Sequence, residues 1–426
     1  MNKLIQTGVL CACLTGLATQ TDARIKLTTL PERETVRLDI KNGRFTLVEE
    51  ERTVNLQAGI NQVDFSWANI SIDKNSIVFR VIKSNGAVNV LNTNYPNNEK
   101  ALYWSVSAVK AGPAVIRISY LIGNMSAGAS YQGIVENDEK SMLLQTYMTV
   151  QNTSGEDFGE ATVQPGVGKT NVRYFKNGER KRMLAAKFAK VPIQKRFVFD
   201  AAVDQKRTRM YYRVKNDKDN NMGVFPLPRG KVRLFIKEPK SSPDDETRSQ
   251  AFLGEDWCQY TPLFAPLDLY VGVAQDVKIE RFTMQPEGGP RKAFDELTCP
   301  RVLMDGTRTV THPRFRNHRT RFRYRLQNFK TENGKPISVP LTITEHMDGE
   351  WIVEKVVLKE IAGERNDVKE RVIPHDKIFL ERRINTSKVE FDLQLPPTTI
   401  KKKFDLYITV LRKHRRHGDN PRILKD

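Results

Sequence analysis

Residues 314–325 hold six arginines and no acid. Within this stretch Arg319, Arg321, Arg323 and Arg325 alternate with Thr320, Phe322, Tyr324 and Leu326, a period of two. Successive side chains of a strand point to opposite faces, so a strand here sets four guanidinium groups on one face and the aromatic rings on the other. The row spans about 20 Å at roughly 3.3 Å per residue. A planar guanidinium grips phosphate or carboxylate through paired hydrogen bonds, which makes Arg319, Arg321, Arg323 and Arg325 the candidate anion-binding residues. A solvated face that keeps a sheet edge from associating has the same composition. Lys401, Lys402 and Lys403, and the run Arg412-Lys413-His414-Arg415-Arg416, add positive charge towards the C-terminus.

Other constellations point to less chemistry. Glu255-Asp256 beside Trp257 and Tyr260 suggests the carboxylate pair and stacking platform of a glycosidase. Neighbouring strand residues face opposite ways, which keeps the two carboxylates from flanking one bond at the roughly 5–9 Å that such chemistry uses. Gly166-Val167-Gly168-Lys169-Thr170 has the ending of a phosphate-binding loop, but Val163 stands where its first glycine belongs. Asn171-Val172-Arg173-Tyr174-Phe175 then reads as a strand where the loop needs a helix, so no nucleotide is expected. His312, His318, His346, His375, His414 and His417 form no HExxH pair and no zinc-spaced cluster with cysteine. No metal or other cofactor is expected, and no catalytic residue is assigned.

The elements that must position these groups follow from the same period of two. It recurs at Val36–Ile40, Val54–Leu56, Val63–Phe65, Ile77–Val81, Ile116–Tyr120, Lys231–Ile236, Leu267–Val271, Ile337–Ile343, Val389–Leu393 and Leu406–Val410. Turn signals separate these stretches at Asn42-Gly43, Ala58-Gly59, Asn177-Gly178, Asn333-Gly334 and Asp348-Gly349. Helical composition is confined to Arg182–Lys190. The fold class is therefore all-β, made of antiparallel β-sandwich domains of immunoglobulin-like kind, a small N-terminal domain preceding a larger multi-sheet region. Polar stretches at Ser84–Lys100 and Asn216–Asn221 suggest boundaries. The expected division is 1–23, 24–100, 101–220 and 221–426.

Segment 1–23 has the layout of a secretory signal peptide: Lys3, an apolar run from Leu4 to Ala18, and small residues at Thr21 and Ala23. No later stretch is long and uncharged enough for a transmembrane helix. Leu10-Cys11-Ala12-Cys13 offers the alternative of a lipoprotein anchored through Cys13. Otherwise the chain is expected in the periplasm or at the cell surface. In an oxidising compartment Cys258 and Cys299 read as a disulfide, closing a loop of about 40 residues for about 4 kcal/mol; two separate buried thiols are the alternative. Across 426 residues, 39% hydrophobic and 28% charged composition excludes a disordered polymer, and the +19 net charge favours anionic partners. Loss of Lys3 and Asp22 with the leader leaves that charge unchanged.

Several phrases, taken in order, resemble the bacterial mucoidy-inhibitor-A-like domain of unknown function. They are Asn152–Phe158 (NTSGEDF), Pro226–Val232 (PLPRGKV), Phe252–Asp256 (FLGED), Leu269–Gly272 (LYVG), Tyr324–Lys330 (YRLQNFK) and Glu345–Trp351 (EHMDGEW). The resemblance covers most of residues 113–411. Residues 35–82, with Leu56–Asn61 (LQAGIN) and Ser76–Phe79 (SIVF), resemble the family's small N-terminal β-domain. It implies an envelope or surface protein of β-sandwich domains and carries over no active-site residue. Many members insert a long coiled coil between the two β-regions, where this chain has only the short polar stretch Lys83–Ser105.

The expected function is that of an exported, non-enzymatic interaction or structural module. An envelope glycan, an anionic lipid or an envelope protein is its expected partner, and the oligomeric state is open. The alternatives are an enzyme acting on envelope polysaccharide through carboxylates brought together by folding, or a subunit of a larger envelope assembly.

Overall fold

The computed structural model describes residues 26–28, 30–40, 44–67, 70–167, 171–238, 249–285, 294–303, 306–332, 334–363, 369–373 and 379–416. The expected leader 1–23, Cys13, Asn42-Gly43 and Gly168-Lys169-Thr170 lie outside them. Strands make up 70% of the described residues. It opens with β1 (Lys26–Thr28), β2 (Thr35–Asp39), β3 (Thr46–Leu56), β4 (Gly59–Ser66), β5 (Ile72–Ser84), β6 (Val88–Asn94), β7 (Ala101–Ala108) and β8 (Gly112–Ile122). Next come β9 (Met125–Val135), β10 (Ser141–Asn152), β11 (Glu160–Gln164), β12 (Asn171–Tyr174), β13 (Arg180–Pro192), β14 (Gln194–Asp200) and β15 (Thr208–Lys215). They are followed by β16 (Gly230–Lys237), β17 (Gln250–Cys258), β18 (Pro266–Ala274), β19 (Val277–Met284), β20 (Phe294–Leu303) and β21 (Gly306–Asn328). The last group is β22 (Thr331–Glu332), β23 (Lys335–Pro336), β24 (Val339–His346), β25 (Trp351–Ala362), β26 (Lys369–Ile373), β27 (Phe379–Asn385), β28 (Lys388–Leu395) and β29 (Lys402–Arg416). Among the described residues the one helical element is a short 3-10 turn, Lys218–Asn220.

The chain divides into two compact units, one within residues 1–127, 150–166 and 170–180, the other within 128–149, 167–169 and 181–426. The first is a sandwich of a β1-β4-β7-β6 sheet and a β12-β11-β2-β3-β8-β5 sheet. Alternation places Val63, Phe65, Leu102, Trp104 and Val106 on one inner face and Leu38, Val48, Ile116, Ile118 and Tyr120 on the other, all buried. Phe65 joins the layers, its ring centroid 5.9 Å from that of Trp104 and 5.6 Å from that of Tyr120. Ser84–Lys100 is no linker here. Its centre is β6, registered on β7 with Asn89 opposite Ser107, so Asn89, Asn92 and Asn94 sit in a ladder.

The second unit contains three sheets: β13-β10-β9-β16-β17, β18-β15-β14-β24-β28-β27, and β19-β21-β29-β25-β26 with β20 paired to β21. Phe197 on β14 lies opposite Met210 on β15, which shares its face with Tyr212 two residues on. Phe197 belongs to a core with Tyr324 and Leu406, whereas Tyr212 belongs to one with Tyr131 and Leu234. Both cores therefore lie on one face of the middle sheet, half covered by each outer sheet. Most pairings are antiparallel, but β14–β24 and β9–β16 run parallel and mark the long crossovers.

Two local expectations change for tertiary reasons. Arg182–Lys190 lies in strand β13, hydrogen-bonded to β10, with Met183, Ala185, Phe188 and Val191 buried. Burying those side chains outweighs the few tenths of a kcal/mol per residue by which Arg, Lys, Ala and Leu prefer a helix. Asn216–Asn221 is a tie and not a hinge. Asn216 is fully buried, its Nδ2 donates to the carbonyls of Phe225, Thr261 and Pro262 at 3.1, 3.3 and 3.2 Å, and its Oδ1 accepts from Gly223 N at 3.0 Å.

Candidate functional site

Strand β21 is central in its sheet, between β19 and β29. Thr320, Phe322, Tyr324 and Leu326 are buried while Arg319, Arg321, Arg323 and Arg325 are half-buried on the outer face, as the alternation requires. Across the ladders, Arg321, Arg323 and Arg325 oppose Met284, Phe282 and Glu280 of β19, and Thr409, Tyr407 and Asp405 of β29.

These neighbours divide the row. Arg319 donates twice to Glu354, from Nε at 2.5 Å and from an Nη at 2.8 Å. Arg325 Nε donates to the buried carboxylate of Asp405 at 3.3 Å. Both ends of the row thus carry a compensating negative charge. In the middle, Arg323 stacks over Phe282 at 4.4 Å, with Arg325 at 5.8 Å from the same ring. Arg321 lies over Tyr407 at 4.5 Å, and Lys359 Nζ is 5.5 Å from that ring. A guanidinium braced over a ring needs little further ordering to meet an anion. Arg323 Nε is closed from solvent and has no hydrogen-bond partner. The hydrogen bond to Glu370 at 2.8 Å holds the Lys359 ammonium above its ordinary pKa, against the opposing charge of Arg321.

Phe282 and Tyr407 are the residues that the arginine period does not reveal. Tyr407 sits between Leu406 and Ile408, which are buried, so its own alternation already placed an aromatic ring on the outer face. Its contact with Arg321, the diagonal neighbour of its register partner Arg323, follows from the β21–β29 register.

Described residues of the second unit line two sizeable cavities. One, of about 700 Å³, is lined by Lys206, Lys278, Glu280, Arg281, Glu345 and His346, with Thr344 beside them. Arg281 Nε donates to Glu345 at 2.6 Å and to Tyr324 Oη at 3.2 Å, and its guanidinium lies over Phe322 at 4.3 Å. Burial pushes the Glu345 carboxyl above its usual range, with Arg281 opposing. His346 Nε2 is 3.0 Å from Asp200 Oδ2. The other cavity, about 880 Å³, adjoins a ladder of charge on the outer face of the middle sheet. Arg196 reaches Thr342 Oγ1 at 3.0 Å, Asp268 at 3.1 Å and Glu390 at 3.0 Å, while Arg213 grips Asp268 at 2.6 and 2.7 Å. Arg382 and Lys388 close the far end on Glu390.

The remaining sequence features resolve separately. Glu255 and Asp256 on β17 part company as expected: Glu255 binds Lys231 at 2.8 Å, and Asp256 Oδ2 accepts from Tyr270 N at 2.7 Å. Residues 171–174 are strand β12. Among the described residues no group of three His, Cys, Asp or Glu is placed to hold a metal ion, and no helix is long and apolar enough to cross a membrane. The expected Cys258–Cys299 bond is corrected at Cys258, which is a buried free thiol; the side chain of Cys299 lies outside the described residues. Cys258 packs into the core with Tyr131 and Val232, and its Sγ is 3.2 Å from the Gln259 carbonyl. No family model matches the chain, and no curated protein matches it.

Proposed function

We propose that this chain is an exported β-sandwich protein of the bacterial envelope, of the mucoidy-inhibitor-A-like kind, that works as a non-enzymatic binding module for an anionic partner. An envelope glycan, an anionic lipid head group or an acidic face of an envelope protein all fit that chemistry. One observation carries the reading: Arg321 and Arg323 are stacked on Tyr407 and Phe282 in the middle of a face whose outer arginines are already matched by Glu354 and Asp405. Matched ends hold the row in place, and the rings of Tyr407 and Phe282 brace the central two guanidinium groups on the outer face. The whole-chain charge of +19 draws anions towards it.

The test uses the purified chain and envelope fractions at low and high salt. Retention at about 50 mM salt and release by about 500 mM are expected, since that range shortens the screening length several-fold. Replacing Arg321 and Arg323 by Ser together is expected to weaken retention about tenfold and flatten its salt dependence. Unchanged retention removes this face from the account.

A further inference from the structure

A second surface of the molecule carries aromatic rings and positive charge together, on the outer face of β16 and β17. The chain has four tryptophans. Trp67, Trp104 and Trp351 are buried at 7%, 2% and 2% exposure, whereas Trp257 is 50% exposed. It is nevertheless held. Arg229 lies 5.4 Å and Lys231 Nζ 5.8 Å from its ring, and its backbone N–H donates to Asp256 Oδ1 at 2.7 Å. Opposite pairs run along the two strands: Lys231 with Trp257, Arg233 with Glu255, and Phe235 with Phe252. Paired residues of antiparallel strands share a face, so all six belong to one surface. Phe252 is 59% exposed and meets Phe235 edge-on at 5.6 Å. An aromatic station thus stands at each end, about 15 Å apart by the strand rise. Charged groups fill the space between.

Those charges are unbalanced. Among the described residues, Arg229, Lys231 and Arg233 share this face with one carboxylate, Glu255, which accepts from Lys231 at 2.8 Å and lies 3.5 Å from Arg233. Lys231 and Arg233 hold the Glu255 carboxyl below its usual range. Three cations less one anion leaves a surplus of two, with Arg229 as the exposed cation nearest the indole.

We propose that this face binds an acidic polysaccharide, a chain of uronic-acid-type sugars lying along β17. The C–H face of a sugar ring stacks on the half-exposed indole of Trp257, and its carboxylate reaches the fork of Arg229 and the ammonium of Lys231. The next aromatic contact along the chain is Phe252. A free anion would use the cations alone and leave the rings idle, and a neutral sugar would leave the surplus charge unmatched. This site is separate from the arginine face of β21 and does not depend on it.

Because Trp257 is the exposed tryptophan, its fluorescence reads the site directly in the full chain. Oligogalacturonate is expected to shield it from acrylamide quenching in a saturable way. Neutral dextran oligomers and inorganic polyphosphate are expected to shield it at least about tenfold less well at equal concentration. By affinity electrophoresis in galacturonate gels, Trp257→Ala and Arg229→Ser are each expected to weaken retention about tenfold, with Trp257→Phe keeping most of it. The Arg321→Ser/Arg323→Ser chain is expected to bind oligogalacturonate as the parent does. Absence of shielding overturns the proposal, as does equal shielding by polyphosphate, which means charge alone is read, or by dextran, which means the cations are not used. Loss of binding in the Arg321/Arg323 variant with retention in Trp257→Ala assigns the sugar to the other face and also overturns it.

Discussion

Cys258 shows how burial decides the chemistry of a single residue. Its thiol is enclosed by Tyr131, Val232 and Leu227, and burial pushes its pKa up to about 11, against hydrogen bonds from Thr261 and Tyr131 that favour the thiolate. The thiolate is the reactive species, so a raised pKa and lack of access both protect it. Iodoacetamide at pH 8 is expected to leave Cys258 unmodified in the folded chain and to label it in urea, as read by peptide mass; labelling at equal rates in both states counts against the burial described. The linkage has a definite sign. The neutral thiol is favoured in the folded state, so this contribution is complete below the unfolded value of about 8.5 and is lost as pH rises towards about 11.

At the scale of elements, the middle sheet is tied across its strands by side chains as well as by its backbone ladder. Asp268 on β18, Arg213 on β15, Arg196 on β14, Thr342 on β24 and Glu390 on β28 form one connected line. Burial pushes the carboxyls of Asp268 and Glu390 up, but hydrogen bonds and charge from Arg213 and Arg196 on the first, and from Lys388, Arg196 and Arg382 on the second, outweigh it and hold both below the usual range. Lowered carboxylate values stabilise the fold above the unfolded values of about 3.9 and 4.3, and that gain is lost as pH falls through the lower folded values. Replacing Arg196 by Met is expected to cost about 1–3 kcal/mol at pH 6 and much less at pH 2, measured by urea unfolding. A cost independent of pH would show that the ladder is packing and not charge. The turns of these elements were legible beforehand. Gly59, Gly178, Gly334 and Gly349 have φ of 99°, 78°, 74° and 71°, the left-handed values that their turn positions anticipated.

For the whole molecule the question is whether the +19 field or a local face selects the partner. Two charges removed anywhere weaken a field by a similar amount, whereas a site responds only to its own residues. Lys187 and Arg207 are exposed and carry the same two charges as Arg321 and Arg323. Lys187→Ser with Arg207→Ser is therefore expected to retain most binding to envelope fractions, within about threefold of the parent, where the Arg321/Arg323 pair loses about tenfold. Equal losses would assign binding to net charge alone.

The sequence by itself determined the all-β class, the positions of the strands that carry a clear period of two and of the glycine turns, and the division of 319–326 into an arginine face and an aromatic face. These are local properties: alternation is set by a residue and its second neighbour, and a positive φ by the glycine itself. Only the tertiary structure decided which carboxylates hold Arg319 and Arg325, because Glu354 and Asp405 stand 35 and 80 positions from them. It decided that Arg182–Lys190 is a strand, since its neighbour β10 supplies both ladder and core. It also divided the chain elsewhere than at its polar stretches. A run of asparagines looks the same in sequence whether it meets water or, as at Asn216, buried carbonyls of a distant segment; only the partners that folding brings to it distinguish a linker from a tie.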